Sequence, residues 1–414
     1  MQKTNSYIGP FILITCLFFL WGFAHNLDPI LIPHLKKSFT LTTTQATLVD
    51  SAVFIAYFVM AIPAGLIMKQ CGYKMGIIFG LILFSIGAFL FVPAANYQSY
   101  NYFLIALFVI ACGLTILETA ANPYVSALGD SATSTQRLNL AQSFNGLAVA
   151  LAPIIGAKVI LTKGYTNEQL SVMTDAAKKI ALASEASSVK IPYTILAIVL
   201  LVIAGVFYFI KLPDIRKSTQ PQYEDSLLRA IRNRHLSWAV IAQFFYVGAQ
   251  VCVFSLFIIY ATEVAHITEL QAAIYLSIAG LAFLIGRFLG TFFMLFIKPN
   301  ILLGIYAMIC AALCIVAITN NGIYTLYAII GICFFMSIMF PTIFSLGIKE
   351  LGPDTEMASS LIVMSIVGGA VMPRVFGLIS DKTNHIQNGY IVPLFCFLVV
   401  AYFGWQGYKV KVKS

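Results

Sequence analysis

Six ionisable residues, Asp28, Asp50, Glu118, Lys158, Arg287 and Arg374, stand inside stretches that are otherwise almost wholly apolar. In hydrocarbon each costs at least ~2.5 kcal/mol on insertion scales, so each needs a partner or a task, and the default task of an intramembrane acid is to handle protons or ions. Thr115, Glu118 and Asn122 follow one another at offsets of three and four, which places them on one face of a helix. Three further stripes have similar spacing: Asn139, Gln142 and Asn145; Gln243, Tyr246 and Gln250; Trp21, His25 and Asp28. Four polar stripes on apolar helices make a wet cavity. Amides that donate and accept, beside an indole or phenol face, suit an uncharged polyhydroxylated ligand; a charged ligand would require an opposite charge. Glu118 reads as a proton carrier ahead of a packing carboxylate. For Gln142, Asn145 and Gln250, glue between helices is a strong competitor, and His25 reads as a packing residue. Arg287, beside Gly286, has three readings: a counter-charge for Glu118, which ranks first, a ligand donor, or a packing group bonded to carbonyls.

The elements that must position these groups are set by composition. Of 414 residues, 60% are hydrophobic and 10% charged, with a mean hydropathy of +0.90; soluble domains carry roughly a quarter charged residues. Apolar windows of about twenty residues, the length that crosses a ~30 Å hydrocarbon layer, recur along the whole chain. They predict helices over 8–33, 44–68, 75–94, 102–125, 138–160 and 191–210, then 238–261, 271–296, 301–318, 323–348, 357–379 and 390–410. The fold class is therefore an all-α membrane protein of twelve transmembrane helices. Strands of a β-barrel would alternate with period two, and these windows do not. At about 1.5 Å per residue, Glu118, Gln142 and Asn145 fall some 6 to 10 Å to the cytoplasmic side of the midplane and Gln250 near it, within reach of one ligand.

The first apolar stretch is too long for a signal-peptide core and is kept as a span. The eight cysteines are scattered without metal or redox spacing and read as small buried side chains. The net charge of +9 would point a soluble chain toward nucleic acid. Here position accounts for it: with both termini inside, about fifteen Lys and Arg fall on the cytoplasmic side against about seven outside. No phosphate-binding loop, metal-ligand spacing or nucleophile with its base occurs in the loops, so no catalytic residues, no metal and no enzyme activity are expected. Between Lys211 and His235 the chain turns polar and basic. The expected organisation is a six-helix bundle over 1–210, a cytoplasmic linker over 211–235 and a second six-helix bundle over 236–414. The halves echo each other: Phe18-Phe19-Leu20-Trp21-Gly22 against Phe244-Phe245-Tyr246-Val247-Gly248, and Asn122-Pro123 with Leu128-Gly129 against Phe340-Pro341 with Leu346-Gly347. A parallel duplication with substrate held between two bundles follows.

Longer runs carry a resemblance. Leu117-Glu118-Thr119-Ala120-Ala121-Asn122-Pro123, Arg137-Leu138-Asn139-Leu140-Ala141-Gln142-Ser143-Phe144-Asn145, Tyr246-Val247-Gly248-Ala249-Gln250, Ile285-Gly286-Arg287-Phe288 and 341–349 are similar to the fucose and hexose (glucose/galactose) to proton symporter family of the major facilitator superfamily. The resemblance covers essentially the whole chain. It implies the major facilitator fold and a proton-coupled sugar symporter of a bacterial inner membrane that imports L-fucose or a related hexose by alternating access, with protons as coupling ion and no cofactor. Glu118 would exchange protons, Gln142 and Asn145 would contact sugar, and Trp21 would fill the aromatic position of the first helix. Asn26, Asn122, Tyr246 and Gln250 complete the expected binding set. The family pattern Asn-Leu-Asn-Asp-Ile-Leu stands here as Asn26-Leu27-Asp28-Pro29-Ile30-Leu31, so the second acid, Asp28, is displaced by one residue, about 100° around a helix. Phe254 replaces an indole of the family. Asp50 and Arg374 fall about 9 to 10 Å outside the midplane on spans that the resemblance brings together, where the family has neutral residues. An outer-gate salt bridge and two separate aqueous vestibules are equally expected. The expected partners are a sugar, protons and lipid, with a monomer as the working unit. An exporter of another small molecule, such as a hydrophobic cation, and a non-transporting sugar sensor are the rival readings.

Overall fold

A computed structural model describes residues 8–25, 31, 35, 38–39, 48–160, 173–210, 212–213, 230 and 232–410. Nine of the described helices are long and apolar enough to cross a membrane. The helix Leu48–Phe89 holds two crossings. Its 42 residues would need roughly 60 Å as one helix, twice the hydrocarbon layer, but Gly72 (φ 83°, ψ 167°) turns the chain back in a conformation that a Cβ would oppose. Counting both arms, the shorter apolar Gly9–Ala24 and the helix Ser134–Ile160 completes twelve spans. In chain order, α1 is Ile8–His25, α2 and α3 are the arms of Leu48–Phe89 before and after Gly72, α4 is Tyr100–Ala127, α5 is Ser134–Ile160 and α6 is Lys190–Phe209. The second set is α7 at Arg234–Ser255, α8 at Glu269–Phe293, α9 at Pro299–Thr319, α10 at Ile323–Gly347, α11 at Gly352–Thr383 and α12 at Ile386–Gly407. The expected boundary between spans 2 and 3 is thus a tight reversal at Gly72, where two helices abut. Span 7 also departs from expectation, breaking at Leu256 before a short helix Phe257–Val264.

Side chains explain several ends. Gly129 (φ 101°) follows α4, and the Arg137 guanidinium donates to the last-turn carbonyl of Ser126 at 2.7 Å and to that of Asp130, just beyond the helix, at 2.6 Å. Thr268 and Gln271 form a reciprocal capping box at the start of α8. Proline acts inside two spans. Pro123 has no N–H for the carbonyl of Thr119, and Pro341 none for that of Ser337; α10 breaks there into Ile323–Met336 and Met339–Gly347. Large apolar side chains cover the outside: Ile195, Ile198 and Val202 on α6, and Leu281, Ile285, Phe288 and Phe292 on α8, all exposed. In water such a face would drive association; in lipid it is the required solvent surface.

Candidate functional site

The polar groups of the first bundle converge on α4. Glu118 is half-buried, and the Tyr57 hydroxyl of α2 donates to its Oε1 at 3.1 Å, while its buried Oε2 has no hydrogen-bond partner among the described residues. One turn on, Asn122 Oδ1 accepts from Gln142 Nε2 of α5 at 2.9 Å, leaving Asn122 Nδ2 buried without a partner among the described residues. Asn145, a turn further along α5, donates from Nδ2 to the carbonyl of Phe18 in α1 at 3.2 Å. Gly22 makes that contact feasible, since a Cβ there would stand 2.6 Å from Asn145 Nδ2. Trp21 is buried against Phe18, ring centroids 4.4 Å apart. One acid, one phenol, three amides and an indole therefore share the interior of one bundle, and two of these groups keep an unused polar atom. Thr115 bonds its own helix at Ala111 and is not part of this set.

The second bundle offers mainly rings. Phe254 packs edge-on against Phe283 at 5.7 Å. Tyr246 is fully buried with its ring edge-on to Phe340. Gln250 is half-buried on α7, while Gln243 is wholly buried with both amide atoms unpaired among the described residues. In this structure Arg287 does not partner Glu118. Among the described residues it makes no ion pair; its Nε donates to the Ser337 carbonyl and its Nη1 to the Gln142 carbonyl, both at 2.8 Å, and its Cζ lies 4.7 Å from the centre of the Phe283 ring. Of the three sequence readings, the one with carbonyl partners matches. Arg374 is exposed on α11. Asn26 and Asp28, and the side chains of His25, Asp50 and Lys158, lie outside the described residues, as does most of the 211–235 linker.

At the end of the molecule nearest that linker the bundles are sewn together. Among the described residues, six hydrogen bonds cross between them: Ser134 and Thr135 with Ser345, Gln136 with the Met294 carbonyl, Asn139 with Thr342, Ser359 with the Thr119 carbonyl, and Arg287 with Gln142. All lie in the linker half, so the closed end is the linker end. Asn139 belongs to this seam rather than to the cavity stripe.

Twelve helices, a duplicated six-helix plan and a polar site in one bundle are matched by sequence: the profile of the Major Facilitator Superfamily covers residues 11–355. The chain belongs to that superfamily. Within it, the chain is 42% identical to the L-fucose-proton symporter of Escherichia coli over 97% of its own length and 93% of the relative's. It is 38% identical to the glucose/galactose transporter of Brucella abortus, over 96% and 93%. The solved structure of the transporter FucP in its outward conformation superposes with a TM-score of 0.90 at 43% identity, covering 96% of this chain and 98% of that one. This facilitator is a transporter by kinship, not an enzyme. Tyr57 and Ser359 went unnoticed in the sequence. Tyr57 is a phenol among apolar residues and Ser359 one of several hydroxyls in its span, and the signal that could have found Ser359 is the carbonyl that Pro123 leaves open.

Proposed function

We propose that this protein is a proton-coupled sugar symporter that imports L-fucose or a related hexose such as glucose or galactose by alternating access. The observation that carries the reading is the Glu118–Tyr57 pair set beside the Asn122–Gln142 pair and Asn145 in one bundle. The names of the relatives, fucose-proton symporter and glucose/galactose transporter, support the same substrate class. The working units are bundles 1–210 and 236–414 joined by the 211–235 linker. The linker end and both termini face the cytoplasm of a bacterial inner membrane, and one copy suffices.

In this arrangement Glu118 takes a proton from the outside, sugar hydroxyls engage the amides of Asn122, Gln142 and Asn145 with Gln250 across the cavity and Trp21 against the C–H face, and the bundles rock. A carboxyl whose contact with water differs between two states changes its proton affinity between them, so the proton leaves once the linker end opens. A potential of 100 mV supplies ~2.3 kcal/mol per proton, enough for roughly fiftyfold accumulation. Liposomes holding the purified protein, acid outside, should concentrate labelled L-fucose, galactose or glucose and lose that capacity with a protonophore; unlabelled sugars in competition rank the substrates. Sugar binding without flux would instead make the protein a sensor, and neither binding nor flux would favour export of another small molecule.

A further inference from the structure

Arg287 is 4% exposed, carries a full charge and has no acid beside it among the described residues. An isolated cation at such a place is costly, so whatever satisfies it is strongly selected by the fold. Two carbonyls do so, and they come from opposite bundles. The Ser337 carbonyl in α10 is free because residue 341, whose N–H would normally bond it, is proline. The Gln142 carbonyl belongs to α5 of the other bundle. Two glycines bring α8 close enough to serve both. Gly286 has no side chain to meet the Phe334 carbonyl and Ser337 Oγ of α10, and a Cβ on Gly146 of α5 would stand 3.2 Å from Leu284 of α8. Separation of the bundles at the linker end keeps the Ser337 bond, which is internal to one bundle, and breaks the Gln142 bond.

We propose that Arg287 is a positioning residue: anchored on the carbonyl that Pro341 leaves open, it holds the backbone of Gln142 across the bundle interface, so that the sugar-binding amide is in register only while the linker end is closed. The role rests on the sugar reading of Gln142 given above. A flexible Lys ammonium is a point charge and does not reproduce a planar fork spanning two carbonyls. Gln142 takes part through its main chain, so Gln142→Ala removes the sugar contact and leaves the Arg287 bond in place.

The test uses the full chain with the exposed Cys16 and Cys71 replaced by Ser and a reporter thiol, Ser345→Cys, in the linker-end seam. Thiol labelling of the reporter is timed, and binding of L-fucose, galactose and glucose is measured by calorimetry. Arg287→Met and Arg287→Lys should each label about tenfold faster and bind sugar about tenfold more weakly, a size typical of coupling between sites. Gln142→Ala should weaken binding with the labelling rate unchanged. Pro341→Ala, which returns an N–H to the Ser337 carbonyl without removing a charge, should speed labelling to a smaller extent, and it decides alone if neither Arg287 variant yields monodisperse protein. Labelling within about twofold of the parent in every folded Arg287 and Pro341 variant would overturn the proposal. If the parent binds none of the three sugars, the substrate reading fails while the labelling rates, which involve no sugar, still decide the latch.

Discussion

Glu118 is an acid in an apolar helix, with Asn122 on its face four residues away. The structure adds Tyr57 as donor to one oxygen and leaves the other without a partner among the described residues, an arrangement suited to receiving a proton. Glu118→Gln, a permanent mimic of the protonated form, should abolish accumulation against a pH gradient while exchange between equally loaded sides persists; concentrative uptake at the normal rate would remove Glu118 from coupling. Gln142→Ala and Asn145→Ala should each weaken sugar binding by ~1 to 3 kcal/mol through lost hydrogen bonds to a buried ligand, and unchanged calorimetric affinity in both would reduce these amides to packing. Arg287 shows where residue-level reading fails. Charge alone points it at the nearest acid, but the carbonyl freed by Pro341 and the one on Gln142 were invisible until two helices were placed beside it.

Spacing along a helix states which residues share a face and is silent on which helix that face meets. That is why the twelve spans could be drawn from hydropathy while Asn139, in the same stripe as Gln142 and Asn145, turned out to bond Thr342 in the seam. The turn at Gly72 was legible for a different reason: Lys69, Gln70 and Lys74 interrupt the apolar run, so the expected spans 44–68 and 75–94 bracket the glycine whose positive φ separates α2 from α3. Close packing of α1 on α5 makes a sharper demand. Gly22→Ala should push Asn145 away from the Phe18 carbonyl and weaken sugar binding severalfold, whereas Gly205→Ala on α6, where an added methyl meets nothing within 4 Å, should leave binding as it is. Equal affinity in both variants would show that Asn145 yields without consequence.

At the scale of the whole molecule the two ends are built differently. Six cross-bundle bonds among the described residues at the linker end join hydroxyls, amides and carbonyls, with Arg287 as the charged donor in one of them. The opposite end carries the Arg374 charge on α11, and Phe54 of α2 reaches Gly369 of that helix, where a Cβ would lie 2.8 Å from its ring. If Asp50 and Arg374 close that end as a pair, Asp50→Arg and Arg374→Asp should each expose an introduced outer cysteine and the double exchange should restore its protection; purely additive effects would show two unrelated charges. The seam at the linker end has a consequence for the medium in which the protein works. Neutral hydrogen bonds feel dissolved ions little, while a charged pair near water is screened within about 10 Å at 0.1 M. These six contacts should therefore hold with the same strength in a dilute and in a salt-laden cytoplasm.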